Sequence, residues 1–129
     1  MYTTLRSIEE HRPPSQVWDR LLDYLGDDVT EGTTVTVAQL TAALELEWAI
    51  WCLRAFNERE AAFRSVCDIE GRSYSMGAGH VNAEQVRRIA GESKIRLRRA
   101  AESQVPGAYE TERQRQIGIL CRHYSATSK

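Results

Sequence analysis

The sequence predicts an all-α protein in which residues 1–129 form a compact single-domain bundle of about five to seven helices. Large apolar residues recur three and four positions apart in most segments, a spacing that is typical of amphipathic helices. Prolines, glycines and helix-capping residues separate those segments. A length of 129 residues and a hydrophobic share of 42% suit one domain with one core.

The first helix is predicted at the amino terminus. Leu5 and Ile8 lie three positions apart, and Thr3 and Thr4 precede them as candidate caps. Pro13-Pro14 then stops the chain, because proline lacks an amide hydrogen and disfavours helical backbone at the residue before it.

A second helix is predicted between Ser15, a good N-cap residue, and Gly26, a common helix end. Residues 27–36 have some β-type composition but are short, polar and without an obvious partner strand, so we interpret them as a loop. Thr36 is a candidate cap for a short third helix that extends to Leu44. The apolar stripe of the second helix consists of Val17, Trp18, Leu21, Leu22 and Leu25.

The segment EWAIWCLRAF, residues 47–56, is unusually apolar for a chain of this composition. Around a helical wheel its apolar side chains leave no wide polar face, which is typical of a helix surrounded by others. We therefore expect residues 46–56 at the centre of the bundle, with Trp48 and Trp51 buried. The alternative is an exposed aromatic anchor for a partner, since tryptophan is common at binding hot spots.

The next helix is predicted to follow Asn57, which together with Glu60 resembles a capping box. Its apolar stripe continues towards Tyr74, and the glycines of Met76–Gly79 are interpreted as a joint. The stretch MGAGH around this joint lacks the spacing of a phosphate-binding loop and follows no predicted strand, so a hinge is the preferred interpretation.

Two further helices are predicted in the second half of the chain. Asn82 is expected to start a long helix, Pro106-Gly107 to break the chain, and residues 109–124 to form the last helix. The tail from Ser125 is expected to fray.

Charge is divided unevenly along the chain, although the net formal charge is only −1. Residues 1–79 contain 7 Lys and Arg against 13 Asp and Glu, so this subregion is acidic, at −6. Residues 80–129 contain 10 Lys and Arg against 5 Asp and Glu, so this subregion is basic, at +5. Such an asymmetry indicates a surface for nucleic acid or an acidic protein, or else halves that attract each other within the fold or across a head-to-tail homodimer.

The three cysteines, Cys52, Cys67 and Cys121, lie far apart and form no C-x-x-C pair. An odd number in this arrangement argues against a disulfide framework and against a zinc site. We interpret them as reduced, buried thiols of a cytoplasmic protein. The amino terminus has no apolar signal-peptide core, and no run of apolar residues approaches the roughly 20 needed to cross a membrane.

Motifs of catalysis or metal binding are not found in the sequence. His11, His80 and His123 are widely separated and stand in none of the usual metal-ligand spacings. No serine occupies a G-x-S-x-G turn. The sequence therefore predicts a protein that is not an enzyme and that uses no cofactor and no metal.

A basic surface on the long helix after residue 82 is one candidate partner-binding site. Its cations surround Ile95, which lies opposite the predicted core stripe. This arrangement suggests a contact surface with an apolar centre and a basic rim, although single exposed hydrophobic residues are common. Glu84, Glu92 and Glu102 dilute the positive potential and make duplex DNA a weaker candidate. The cations are Arg87, Arg88, Lys94, Arg96, Arg98 and Arg99.

An acidic surface within residues 19–31 is the other candidate. Its carboxylates are dense enough to mimic the phosphates of DNA, although such a run is more often a solvated face. The carboxylates are Asp19, Asp23, Asp27, Asp28 and Glu31.

The order and spacing of motifs over residues 3–67 resemble a family of small phage and prophage proteins. The family pattern is T-L-x-x-I-x-x-H, a proline-containing turn, W-x-x-L-L-x-x-L-G and A-L-W-C-L-R-A. Residues 44–46 are Leu-Glu-Leu where the family usually has Asn-Gly, so helices three and four are expected to merge or bend there. The matching positions are Thr4, Leu5, Ile8, His11, Trp18, Leu21, Leu22, Leu25, Gly26, Ala49, Ile50, Trp51, Cys52, Leu53, Arg54 and Ala55.

The resemblance implies a phage-borne helical protein; some members are labelled as immunity proteins, and the family supplies no catalytic residues. We therefore expect a phage or mobile-element protein that inhibits a bacterial defence system by stoichiometric protein binding, as anti-CRISPR proteins do. Its partner would be a host defence protein or ribonucleoprotein complex in the cytoplasm of the bacterial host. The alternatives are a nucleic-acid-binding regulator that uses residues 87–99 and an immunity-type protein that neutralises a toxin.

Overall fold

The structure, a computed structural model, describes residues 1–74 and 81–125. Seven α-helices and one short pair of strands are found in this part of the chain, which confirms the prediction of an all-α bundle of five to seven helices. The joint predicted at Met76–Gly79 lies outside the described residues, as does the predicted tail beyond Ser125. The helices are α1 (Leu5–Glu10), α2 (Ser15–Leu25), α3 (Val37–Ala43), α4 (Leu46–Trp51), α5 (Arg59–Glu70), α6 (Asn82–Glu102) and α7 (Ala108–Tyr124), and a 3-10 turn (Cys52–Ala55) follows α4.

Two short strands tie the amino terminus to the loop before α3. β1 (Thr3–Thr4) and β2 (Thr34–Val35) are antiparallel, and the amide of Leu5 extends the pairing by donating to the Thr33 carbonyl at 3.1 Å. The prediction that residues 27–36 form a loop without a strand partner is therefore wrong at its end. Strands of two residues are too short to show an alternating pattern in the sequence.

Two of the predicted helix caps are confirmed. Thr4 precedes α1 and accepts a hydrogen bond from the amide of Ser7 at 3.2 Å. Thr36 precedes α3 and forms a complete capping box with Gln39. Gly26 ends α2 with a φ of 95°, as predicted for a terminal glycine.

Two other helix starts differ from the prediction. Ser15 is the first helical residue of α2, after Pro14, and its side chain makes no capping bond. Asn57 has a φ of 52°, and α5 begins at Arg59, so the predicted capping box with Glu60 is wrong. In both cases the helix begins within two residues of the residue type that favours a cap, but that residue is not the N-cap.

Helices α3 and α4 do not merge. Leu44 and Glu45 both have extended backbone, with ψ near 160° and 151°, and α4 starts at Leu46. The side chain of Leu44 is buried in the core. The break therefore lets α4 take a new direction while its first turn stays anchored.

The core receives buried side chains from every described helix. Helices α5, α6 and α7 pack against one another, and α4 packs on α6. Phe56, after the 3-10 turn, meets Tyr124 of α7 edge to face with ring centroids 5.5 Å apart. This contact joins the middle of the chain to the last helix.

The apolar segment 46–56 occupies the centre of the bundle only in part. Leu53 and Ile50 are fully buried, as predicted for this segment. Trp48 and Trp51 are half-buried instead, so their predicted complete burial is wrong. Small residues of the neighbouring helix α6 stand opposite them.

The cysteines are free thiols, and two of them are buried as predicted. Cys52 and Cys67 lie in the interior, whereas Cys121 is half-buried. Burial raises the pKa of Cys52 to about 12, against a smaller opposing effect of the Arg54 charge. Cys52 is therefore a neutral thiol that packs like a small hydrophobic residue.

Gly71 supplies a backbone conformation that other residues adopt at a cost. It follows α5 with a φ of 74°, and a methyl group at its Cα would meet no atom within 4 Å. We expect Gly71→Ala to lower the free energy of unfolding by about 1 kcal/mol through backbone strain alone. Urea unfolding monitored by circular dichroism measures the change.

Gly118→Ala is the matched control for this prediction. Gly118 lies inside α7, without a positive φ, and a methyl group there also meets nothing within 4 Å. Alanine should stabilise this position by about 1 kcal/mol, since glycine is a poor helix residue. Changes of the same sign at the two glycines would contradict the argument from backbone conformation.

Candidate binding site

Two of the predicted binding cations on α6 are used inside the fold. Arg88 and Arg96 are half-buried against the carboxyl end of α5. Nη2 of Arg88 lies 3.3 Å from each carboxylate oxygen of Glu70, and Nη2 of Arg96 donates to the Glu70 carbonyl at 3.3 Å. The last carbonyls of a helix lack partners within the helix, so these arginines satisfy and neutralise the end of α5.

A third arginine reaches the same helix end from α7. Arg115 donates to the carbonyl oxygens of Asp68 and Ile69 at 3.3 and 3.1 Å, and it also pairs with Glu112. Partial burial raises the pKa of Glu70, but hydrogen bonds and charges of Arg72 and Arg88 outweigh that effect and hold the pKa below its ordinary value. Attraction between the acidic and basic parts of the chain is thus found within the fold.

The other predicted cations of α6 remain exposed. Arg87, Lys94, Arg98 and Arg99 form no ion pair with another described residue, and Ile95 among them is 41% exposed. We call these five residues the α6 cationic face. Arg87, Lys94 and Arg98 lie seven and four positions apart, so they follow one side of the helix.

The predicted acidic residues are also exposed. Asp19 and Asp23 lie four positions apart on α2 and therefore on one side of it, and the others follow in the loop. No ion pair joins the acidic surface to the α6 cationic face within the part of the chain that the structure describes. The complete acidic surface is Asp19, Asp23, Asp27, Asp28 and Glu31.

A groove that sequence reasoning did not anticipate lies beside the α6 cationic face. It has a volume of about 660 Å³ and is bounded by α4, α6 and the first turns of α7. We call it the tryptophan groove. Its walls include Trp48 and Trp51 from α4, Lys94 and Leu97 from α6, and Tyr109 from α7.

Aromatic and cationic contacts fix the indoles in the groove wall. The rings of Trp48 and Trp51 meet edge to face with centroids 6.2 Å apart. The guanidinium carbon of Arg54 lies 5.1 Å from the Trp51 ring centroid, and His11 approaches the same ring at 6.4 Å. Trp51 is thus held from several sides, and Trp48 is the indole with fewer such contacts among the described residues.

The groove is open because α6 presents small residues to α4. Ala90, Gly91 and Ser93 line this wall, and a methyl group added at Gly91 would meet no atom within 4 Å. These three positions of α6 therefore supply no large side chain to complete the burial of the tryptophans. Two features of the sequence point to this gap. The helix after residue 82 contains small residues among polar ones, and the apolar segment 47–56 has no polar face.

A second cluster missed by sequence reasoning is centred on Asp68 of α5. Its Oδ2 accepts hydrogen bonds from Tyr74 at 3.0 Å and Arg122 at 2.6 Å, and it lies 2.6 Å from Nε2 of His123. Partial burial raises the pKa of Asp68, but these partners outweigh it and hold the pKa below its ordinary value. The cluster ties α7 to α5, and its residues are too far apart in sequence to form a motif.

Comparisons with known proteins give no family for the chain. Family models, curated proteins and solved structures give no match to the chain. Within residues 1–74 and 81–125, no group of three or more His, Cys, Asp or Glu side chains is arranged to hold a metal ion. No helix of the described part combines the length and apolar character that a bilayer crossing requires.

Proposed function

We propose that the chain is a phage or mobile-element protein that inhibits a bacterial defence complex by binding it stoichiometrically, in the manner of anti-CRISPR proteins. It would act in the cytoplasm of the host, as a binding protein and not as an enzyme. The resemblance of residues 3–67 to phage proteins supports the setting. The observation that supports binding is the α6 cationic face, whose cations form no ion pair with another described residue.

The chemistry of this face favours an acidic partner surface. Ile95 gives the face an apolar centre that gains free energy when a partner removes it from water. The surrounding cations would steer an acidic protein, or the phosphates of a ribonucleoprotein, into contact. Exposed charges of this kind act mainly on the association rate, so we expect binding to weaken with salt.

Co-purification with defence complexes of a bacterial host, combined with an interference assay, tests the proposal. We expect a complex of fixed stoichiometry and restored phage plating. The double variant Arg87→Glu/Arg98→Glu should weaken binding at least about tenfold, because both sites change from attraction to repulsion. Binding to none of the complexes, with unchanged plating, would overturn the proposal.

A charge-matched control separates surface recognition from net charge. Arg12 and Arg59 are also exposed and make no ion pair with a described side chain. The variant Arg12→Glu/Arg59→Glu changes the net charge by the same amount as the first variant, and it should leave inhibition unchanged. If both variants lose inhibition equally, the α6 cationic face is not the specific surface.

The acidic surface and nucleic acid are the competing assignments. If Asp19→Lys/Asp23→Lys abolishes inhibition while the α6 variant retains it, the acidic surface is the docking site. Binding of the free chain to RNA or DNA with a steep loss of affinity as salt rises would favour a nucleic-acid-binding regulator. Protection against a toxin, without any effect on phage plating, would favour the immunity-type function.

A further inference from the structure

The tryptophan groove has the size and lining of a small-molecule site. Its volume of about 660 Å³ falls within the range of roughly 300–1,000 Å³ that is usual for ligand pockets. Trp48, Trp51 and Leu97 contribute apolar surface, and a few charged groups stand among them. Such a mixture of broad apolar walls and few polar groups is typical of sites that orient one ligand.

The groove is a permanent feature of the packing. Small residues form part of its α6 wall, and its α4 wall is held by contacts of the Trp51 ring with the His11 ring and the Arg54 guanidinium. Closing the groove would require α4 to move closer to α6, against which it already packs. A ligand therefore gains contact with indole surface at little cost in rearrangement.

The charges around the groove select the chemistry of the ligand. Arg54, Lys94 and Arg113 provide three cations. Arg113 pairs with Glu110 at 3.1 Å and Arg54 lies over the Trp51 ring, whereas Lys94 has no ion pair with a described residue. Glu45 and Glu47 stand in the same lining, and Glu45 lies 3.6 Å from Arg20. A matching ligand carries an anionic group for the cations, hydrogen-bond donors for the carboxylates and a flat apolar part for the indole.

We propose that the tryptophan groove binds a nucleoside phosphate. The base would stack on Trp48, since aromatic side chains hold bases through their faces. The phosphate would pair with Lys94, and ribose hydroxyls or base amino groups would donate to Glu47. An acidic peptide fits less well, because its carboxylates supply neither a flat base for Trp48 nor hydrogen-bond donors for Glu47. This site goes beyond the proposed inhibition and does not depend on it.

Tryptophan fluorescence and calorimetry of the full chain test the site with defined probes. AMP and ATP should quench the emission saturably with one molecule bound per chain. Adenosine alone and inorganic phosphate alone should each bind at least about tenfold more weakly, because each lacks one of the two recognised parts. Absence of saturable binding of either nucleotide at millimolar concentration would overturn the proposal.

Two variants and one control locate the bound nucleotide. Trp48→Ala should weaken AMP binding roughly tenfold through loss of stacking, with calorimetry as the readout because one indole is removed. Lys94→Ala, at an exposed site that does not support folding, should weaken it by a similar factor. Arg99→Ala, on the α6 cationic face but outside the groove lining, should leave the affinity unchanged. Unchanged affinity in both groove variants would contradict the proposed position.

Other occupants give distinguishable results. Binding of a thymidine oligonucleotide without binding of thymidine monophosphate would assign the cations to nucleic acid and overturn the nucleotide site. Emission that changes with protein concentration alone, together with dimers in sedimentation, would assign the groove to a second copy of the chain. Inhibition of a defence complex is measured separately with Arg87→Glu/Arg98→Glu, so either proposal can fail while the other stands.

Discussion

Replacement of Leu53 by alanine is expected to lower the free energy of unfolding by about 3 kcal/mol, since Leu53 is fully buried at the centre of the bundle. The loss combines the transfer free energy of the removed methyl groups with the cost of the cavity that remains. The core that contains Leu53 is built from side chains of every described helix. The melting temperature should fall by roughly 10 °C.

The matched control is the same substitution at a half-buried leucine. Leu97 lies on α6 in the lining of the tryptophan groove, where solvent already reaches its side chain. We expect Leu97→Ala to cost only about 1 kcal/mol, because less apolar surface is returned to water and no closed cavity forms. Urea unfolding of both variants measures the difference, and equal costs would show that the groove is closed in solution.

Helical periodicity predicts which segment is central but not which of its side chains are buried. The pattern of residues 47–56 correctly predicted a central segment, because apolar side chains around a whole helix need neighbours on every side. The pattern could not predict that Leu53 is buried and Trp48 only half-buried, because this depends on the side chains of the helices packed against the segment. Gly91 and Ser93 on α6 leave one side of α4 uncovered. Burial of a particular tryptophan thus depended on small residues more than 40 positions later in the chain.

The sequence predicted the candidate basic surface but not which of its cations are used within the fold. Sequence spacing predicted a basic helix around Ile95, and the structure has Ile95 exposed among cations. The spacing could not predict that Arg88 and Arg96 bind the carboxyl end of α5, because the position of that helix end is set by the tertiary structure. Helix ends expose carbonyls that attract guanidinium groups from any adjacent element. An arginine count on one helix therefore overestimates the cations that remain for a partner.

A large loss of stability is also expected when the Asp68 cluster is disrupted. Asp68→Asn keeps the size of the side chain but removes the charge that Arg122 and His123 contact at 2.6 Å. We expect the free energy of unfolding at pH 7 to fall by about 2 kcal/mol, since hydrogen bonds to a charged group contribute more than neutral ones. Urea unfolding at several pH values provides the measurement.

The stabilisation by Asp68 depends on pH. The folded protein holds the pKa of Asp68 below its ordinary value of 3.8, so the unfolded chain takes up the proton first as pH falls. The stabilisation is therefore complete above the unfolded pKa and is lost as pH falls through the folded value. The difference between the native chain and Asp68→Asn should shrink in that acid range, although Glu70 and Glu112, whose pKa values are also lowered, keep both proteins acid-sensitive.

Asp19→Asn is the control that separates the cluster from a general effect of charge. Asp19 is exposed on α2 and makes no ion pair with a described residue, so its replacement should change stability by no more than about 0.5 kcal/mol. Tyr74→Phe tests the cluster from its other side, because it removes the hydroxyl that donates to Asp68 at 3.0 Å while keeping the ring. Its cost should be smaller than that of Asp68→Asn, since Arg122 and His123 remain as partners of the carboxylate. If Asp68→Asn and Asp19→Asn cost the same, Asp68 does not hold α7 against α5.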